Sequence, residues 1–515
     1  MGAVGAVLFL VVLATTVASI ANRWSIPAPS LLVLAGLGIA LIPGAPAVHV
    51  APQTIAIVVL PPLLYAAAEE LSLRDLRTVW RPVTILAFGL VFASAAAVGF
   101  AAVALTGLPP AMAFVLGAVL ASTDPVAVTA LGRRLALPGR IQVLVQAESL
   151  FNDATSLVLF KVAVGIAVAV GGTVHVGGAG AQFVLLAGGG TLIGAALAAL
   201  VGLIRRRTTD PVLETVIALA TPYAAYVLAE SAHTSGVTAV VVAGVILGRS
   251  HHQLTDARIR LQVDAVYAVV VFLLESVVFS IIGLQLPTLV RNLPPSSTWW
   301  PLQALALATV LLGTRILWTL PLTRVVKPGQ NRLSWRLAAV VTWAGTRGVM
   351  PLAAALTIPL TADNGSPLPG RPLVLVLTTS VVVCTLVGQG LTLAAVVNRS
   401  GLALEPEHTA REESETHAAL NHAALAHVEH LASLEAMPEA VIDRVRRSLA
   451  ARLDHEVESP DGTTLGTAYR ELRREVIGVQ NTHLQRLYDE HRISETTRRR
   501  LQQDLDREEA ALRPH

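Results

Sequence analysis

The sequence predicts an all-α membrane protein with thirteen transmembrane helices in inverted repeats, two of them broken, followed by a helical tail. Three observations predict it. Of the 515 residues, 53% are hydrophobic and only 14% charged, against roughly 25% charged in an ordinary soluble domain. Apolar runs of the about 20 residues needed to cross a bilayer recur up to residue 398 and then stop. The charge divides at the same place: residues 1–400 carry 23 Lys/Arg against 13 Asp/Glu, a net +10, and residues 401–515 carry 15 against 22, a net −7. A transmembrane domain, 1–400, is therefore followed by a cytoplasmic helical domain, 401–515.

The thirteen runs fall at 3–21, 28–45, 51–68, 82–106, 109–131, 141–169, 180–204, 211–231, 234–249, 262–287, 299–321, 335–360 and 372–398. The first lacks the basic start of a signal peptide and is followed by further spans, so it reads as a helix that stays. Loops rich in Lys and Arg remain in the cytoplasm. With the N-terminus outside, the inner loops hold 17 basic residues, Arg205 among them, and the outer loops hold two, Arg291 and Arg371. The topology is then N-terminus outside and tail inside, in a plasma (bacterial inner) membrane. The pI of 9.3 comes from these loops and points away from nucleic acid. Cys384 is the sole cysteine, which excludes an intramolecular disulfide and a cysteine metal site.

In the tail, Leu420, Ala424, Val428 and Leu431, then Val441, Val445, Leu449 and Leu453, and later Leu472, Val476 and Leu484 recur at helical spacing. Pro438 and the turn Ser459-Pro460-Asp461-Gly462 punctuate them. Nine of the fourteen histidines lie there. They suit pH sensing or simply a solvated surface.

An ionisable side chain in the middle of a span marks a pathway, a relay or a buried pair. Asp124, Glu148, Asp153, Glu214, Asp264 and Glu275 are the acids so placed, and Lys161, Arg315 and Arg347 the bases. Span six reads Gln146-Ala147-Glu148-Ser149-Leu150-Phe151-Asn152-Asp153-Ala154-Thr155-Ser156. At helical pitch, Glu148, Ser149, Asn152, Asp153 and Ser156 share a face roughly 140° wide. Oxygen groups of this kind replace the hydration water of hard cations such as Na⁺. Polar residues that merely bond neighbouring helices are the alternative, but two carboxylates and an Asn within six residues exceed what packing needs.

Span five contains Ser122-Thr123-Asp124-Pro125. Proline removes a donor and clashes with the preceding turn, so the helix opens before Pro125. The outcome is either an ordinary kink or unpaired carbonyls beside Thr123 that ligate a cation. Span twelve contains Gly345-Thr346-Arg347-Gly348-Val349-Met350-Pro351, again a broken helix, around a buried Arg that needs a carboxylate. Glu148 is the expected partner of Arg347, which leaves Asp153 free to bind. With span seven as linker, both breaks fall in the fifth span of a repeat, and the repeats are inverted. Corresponding breaks in inverted repeats point to a secondary transporter's site. No GxxxxGK[ST] run is present, which excludes a pump built on a P-loop.

These stretches, with Pro61-Pro62-Leu63-Leu64, Glu148-Ser149-Leu150-Phe151-Asn152-Asp153 and Gly236-Val237-Thr238-Ala239-Val240, resemble the monovalent cation:proton antiporter family of the NhaP/NHE sodium/proton exchanger kind. The resemblance implies an inverted-repeat fold with two crossed broken helices, a core domain that moves against a dimerisation domain, and a homodimer. It implies that Asp153 binds Na⁺ and H⁺ in turn, and that Thr123, the backbone of Asp124 and Ser149 are further Na⁺ ligands. It casts Asn152 as an orienting residue and Glu148 as the acid held by Arg347. Ala154 stands where the family often has Gly.

With Glu148 locked and Asn152 unable to ionise, only Asp153 alternates between H⁺ and Na⁺. Exchange is then expected to be electroneutral and to serve pH and sodium homeostasis, with Na⁺ or Li⁺ as the ion, no cofactor, and no enzyme activity. The alternatives are a K⁺/H⁺ or broad-range exchanger, and a transporter-derived ion or pH sensor. The tail is expected to regulate turnover.

Overall fold

The computed structural model describes residues 3–24, 27–42, 52–71, 73–124, 139–169, 176–208, 210–254, 257–295, 297–325, 333–401, 406–433, 439–447 and scattered positions between 473 and 508. Among them no strand occurs, only an isolated bridge between Thr361 and Pro367. The chain divides into two compact units, Met1–Leu404 and Glu405–His515.

The first unit contains α1 (Ala3–Trp24), α2 (Ala28–Ala40), α3 (Pro52–Glu69), α4 (Leu73–Thr84), α5 (Val91–Leu105), α6 (Pro110–Leu120), α7 (Gly139–Val168) and α8 (Val176–Arg205). It continues with α9 (Pro211–Ser231), α10 (Gly236–Leu254), α11 (Ala257–Arg291), α12 (Trp300–Val325), α13 (Leu333–Trp343), α14 (Val349–Leu356) and α15 (Arg371–Ser400). Among the described residues, seven helical stretches are long and apolar enough to cross a membrane, and five shorter apolar helices accompany them. The outward side chains match that reading. Leu192 and Leu317 are 73% and 75% exposed, and Leu8, Val184 and Leu261 are exposed as well, an arrangement that water penalises and lipid does not.

Helix ends depart from the apolar runs where charged residues continue a helix beyond the hydrocarbon. The run at 82–106 is the latter part of a longer helix that begins at Leu73 and carries Arg74, Asp75, Arg77 and Arg81 first. Pro82 removes one donor from its ladder. A π-helical turn, Ile85–Leu90, follows and joins α4 to α5. α11, at 35 residues, is about 52 Å long and likewise overruns both ends of its apolar stretch.

One charged residue sits otherwise than its sequence context suggests. Arg205, expected in a basic inner loop, ends α8 fully buried, its Nε 2.7 Å from Oε2 of Glu214 at the start of α9. Glu214 is therefore half of a buried pair. Asp264 lies, as expected, within the apolar stretch Ile259–Arg291 of α11, with its side chain exposed.

In the second unit, α16 (Pro406–Ser433) contains the first apolar repeat of the tail, with Ala424, Val428 and Leu431 half-buried. The next repeat is one residue out of phase. Val441 and Val445 are exposed and Ile442 is buried, whereas in the last repeat Leu484 is buried as expected, together with Ile477 beside Val476. Where two apolar residues are adjacent, as at Val441-Ile442 and Val476-Ile477, spacing alone does not select the inward face. Leu449, Leu453, Leu472, Pro438 and the turn at 459–462 lie outside the described residues.

Candidate functional site

α6 ends where its last helical bond, Ala121 N–H to the Gly117 carbonyl at 3.1 Å, is made. Residues 122–124 are then non-helical, as expected for a helix opened ahead of Pro125, which itself lies outside the described residues. The carbonyls freed by the break are taken up by α7. Ser156 Oγ donates to the Ala118 carbonyl at 2.6 Å and Ser149 Oγ to the Thr123 carbonyl at 2.5 Å. Asn152 Nδ2 donates to Thr123 Oγ1 at 3.2 Å.

The second break repeats this logic. Ala344 N–H still reaches the Val340 carbonyl at 2.8 Å, but Gly345 N–H turns aside to the Thr342 carbonyl. The Val341 carbonyl, left without its helical donor, accepts from Arg315 Nε at 3.2 Å and Nη2 at 2.9 Å. A β-carbon at Gly345 would overlap the Arg315 guanidinium, so glycine is what lets that side chain reach the break.

The two broken segments pair with each other. Asp124 N–H donates to the Thr346 carbonyl at 2.8 Å, and Thr346 Oγ1 donates to the Asp124 carbonyl at 2.9 Å. The Asp124 carboxylate also accepts from Val349 N–H, the first residue of α14, at 3.3 Å. One break thus supplies the N-terminal cap of the other's half-helix, where a negative charge meets the positive end of the dipole. Gly348 is wedged beneath that carboxylate, and a β-carbon there would occupy the place of Asp124 Oδ2.

Behind this junction lies a buried ion pair. Arg315 Nη1 is 2.6 Å from Glu148 Oε1, and Nη2 donates to Oε2 at 2.9 Å; both side chains are at most 3% exposed. The expected Glu148–Arg347 pair is therefore corrected: Glu148 is held from α12, by Arg315. Arg347 turns its Nη1 back to the Gly345 carbonyl at 3.0 Å, while its backbone N–H donates to Thr385 Oγ1 on α15 at 3.2 Å. The physical reason is the break itself. Arg315 satisfies both a carboxylate and an orphaned carbonyl, whereas Arg347 belongs to the unwound segment and completes it.

Asp153 is 5% exposed and lies one turn beyond Ser149 on α7. Ser122, Asp124 and Arg347 are among its polar neighbours. Among the described residues, Asp153 Oδ1, Asn152 Oδ1 and Ser122 Oγ are buried without a hydrogen-bond partner. Buried oxygens almost always find a partner, so this oxygen cluster fits a polar occupant. The cluster brings together Thr123, Asp124, Ser149, Asn152 and Asp153, with Arg347 beside them and Glu148 set apart.

A family description, "Sodium/hydrogen exchanger, transmembrane", matches residues 8–399, which include the whole site. The chain belongs to the sodium/hydrogen exchanger family. An uncharacterized Na⁺/H⁺ exchanger of Mycobacterium tuberculosis is 33% identical over 99% of this chain and 97% of its own length. The Na⁺/H⁺ antiporter ApNhaP of Aphanothece halophytica is 33% identical over 73% of this chain and 70% of its own. A sodium, potassium, lithium and rubidium/H⁺ antiporter of Bacillus subtilis is 31% identical over 74% of this chain and 60% of its own. The fold is similar to the solved structure of the antiporter MjNhaP1 from Methanocaldococcus jannaschii, with a TM-score of 0.62 at 21% identity, over 76% of this chain and all of that one.

This exchanger is thus a multi-pass membrane transporter and not an enzyme. The family match stops short of the tail, whereas the mycobacterial relative extends through it. Arg315 is the site residue that sequence reasoning misplaced. It stood among the mid-span charges, and the signal available was only that two buried arginines competed for one spare acid.

Proposed function

We propose that the protein exchanges Na⁺ for H⁺ across the plasma membrane by alternating access, with Asp153 as the carboxylate both ions share. The observation that carries this reading is the buried Asp153 carboxylate set among unpaired oxygens at the junction of two broken segments. Ser149, Asn152, Thr123 and Ser122 place neutral oxygens around it, the ligand type that a small hard cation takes in exchange for water. Of the nearby acids, Glu148 is neutralised by Arg315 and Asp124 is engaged as the cap of α14. That leaves Asp153 to carry the exchanged charge, so one proton leaves for each cation that binds and exchange is electroneutral.

The wider architecture in this proposal is thirteen spans in inverted repeats, with the N-terminus outside, the tail cytoplasmic and the protein a homodimer. Two matched breaks and the asymmetry of basic loop residues support the repeats and the orientation. A broader cation range is the second reading, favoured by the relative named for sodium, potassium, lithium and rubidium. Quenching of a pH dye in everted vesicles separates the two. Na⁺ and Li⁺, but not K⁺, are expected to restore fluorescence, and an equal response to K⁺ would establish the broader range.

The 401–515 domain, in this proposal, tunes turnover. Its net −7 is opposite in sign to the basic inner loops, and an attraction between the two would be screened by salt. Truncation after Leu404, the boundary between the two units, is expected to preserve exchange and shift its pH profile between pH 6 and 9. Coincident profiles at equal protein levels would remove the regulatory role.

A further inference from the structure

Asp153 shares its face of α7 with two other polar anchors. At helical pitch, Gln146, Asp153 and Lys161 lie within roughly 80° of one another. Gln146 Nε2 donates to the Ala67 carbonyl and to Glu70 Oε2, both at 3.4 Å, at the end of α3. Toward the opposite end of α7, Lys161 Nζ lies 2.5 Å from Glu230 Oε1 on α9. The helix that carries the exchange carboxylate is thus fastened on both sides of it, loosely at Gln146 and closely at Lys161.

The partner of Lys161 is itself rigidly placed. Glu230 Oε1 also accepts from Gly236 N–H, the first residue of α10, at 3.1 Å. Gly236 has no room for a β-carbon, because the Tyr226 ring and the Glu230 carboxylate close over it. The intervening turn holds His233 at φ 54°, a left-handed conformation that a non-glycine residue keeps only when its surroundings over-determine it. They do so here. Thr234 N–H and Oγ1 both donate to the Ala229 carbonyl, and Ser235 N–H donates across to the Leu186 carbonyl on α8 at 3.1 Å. α10 is seated directly on α3, since a β-carbon at Gly248 would overlap the Glu69 backbone, and α9 is tied to α3 by Tyr223 Oη donating to the Val58 carbonyl at 3.0 Å. α3, α9 and α10 form one packed block, and Glu230 is its fixed docking point for α7.

We infer that the Lys161–Glu230 ion pair is a tether of one transport state, closed in the arrangement seen here and parted when Asp153 turns to the other side of the membrane. The inference rests on the exchange reading above. A charge contact this short does not survive a slide of α7 along the block by more than a few ångströms. Both side chains are 35% exposed, so neither is locked in by surrounding packing, and the flexible Lys161 stem lets the ammonium leave the carboxylate when the helices part. A tether so exposed biases a conformational equilibrium without locking it.

Half-saturating Na⁺ measured separately on the two membrane faces, in everted and right-side-out vesicles, tests the tether. Wild-type exchange in both preparations first secures the exchange reading itself, so that its failure is distinguishable from failure of the tether. Lys161→Met is expected to move the two half-saturating concentrations in opposite directions, each by roughly two- to five-fold. Lys161→Arg restores both values. Glu230→Gln, which keeps an acceptor for Gly236 N–H, repeats the effect of Lys161→Met, and the double variant is no larger than either single one. Values that move together on both faces, or do not move at normal protein levels, overturn the tether. If these variants fail to accumulate, Lys161→Cys with Glu230→Cys in a Cys384→Ser background, joined by a short reducible bis-thiosulfonate linker, gives an independent reading. Linking should stop exchange until a reductant is added, and undiminished exchange by the linked protein would equally overturn the inference.

Discussion

Asp153→Asn is expected to bring Na⁺-driven proton movement in proteoliposomes down to the level of empty liposomes while the protein still folds and inserts. The amide keeps the size of the carboxylate and can still bond to its neighbours, but it cannot take up and release a proton or offer a full negative charge to a cation. Normal accumulation of the inactive variant is part of the expectation, because among the described residues Asp153 Oδ1 is buried without a hydrogen-bond partner whose loss would strand a group. Substantial exchange by a well-folded Asp153→Asn protein would remove this carboxylate from the centre of the mechanism.

Arg315→Ala should have the largest effect on stability. It leaves Glu148, 1% exposed, as a buried acid without its counter-ion, and it also strips the Val341 carbonyl of its donors. Breaking a buried pair from one side costs about 3–5 kcal/mol, comparable with the whole margin of many folded proteins. The variant is expected to aggregate on extraction or unfold at a much lower temperature in detergent. Adding Glu148→Gln removes the stranded charge and should recover most of the loss. Arg347→Ala, by contrast, deletes a single side-chain bond to the Gly345 carbonyl and should leave a folded protein with altered cation affinity. Fluorescence-detected size exclusion after heating compares all three. If Arg347→Ala proves the more damaging change and Glu148→Gln rescues it, the pairing described here is wrong.

Much of this site was legible before the structure because membrane burial makes polar residues scarce and each one informative. Pro125 announced the opening of α6, the pair Gly345 and Gly348 announced the break between α13 and α14, and the spacing of Ser149, Asn152 and Asp153 announced one oxygen-lined face of α7. What spacing does not contain is distance between helices. Glu148 had two buried arginines to choose from, and the choice turned on the Val341 carbonyl, a backbone group whose orphaning becomes visible only when the path of Gly345 N–H is known. Arg205 misled for a related reason. It lies in the Arg205-Arg206-Arg207 run that reads as a solvated loop, yet α8 carries the first of the three inward to Glu214. In the tail, adjacent apolar residues such as Val441 and Ile442 left the inward face undetermined.

The shared use of Asp153 by two ions is tested most directly by counting protons as Na⁺ binds. Calorimetric titration of the purified protein with Na⁺, in buffers of different protonation enthalpy, gives that count. The account predicts that proton release approaches one per Na⁺ as the pH falls into the range where the free protein holds the proton, and that Asp153→Asn neither binds nor releases. Na⁺ binding without proton release at any pH would contradict it.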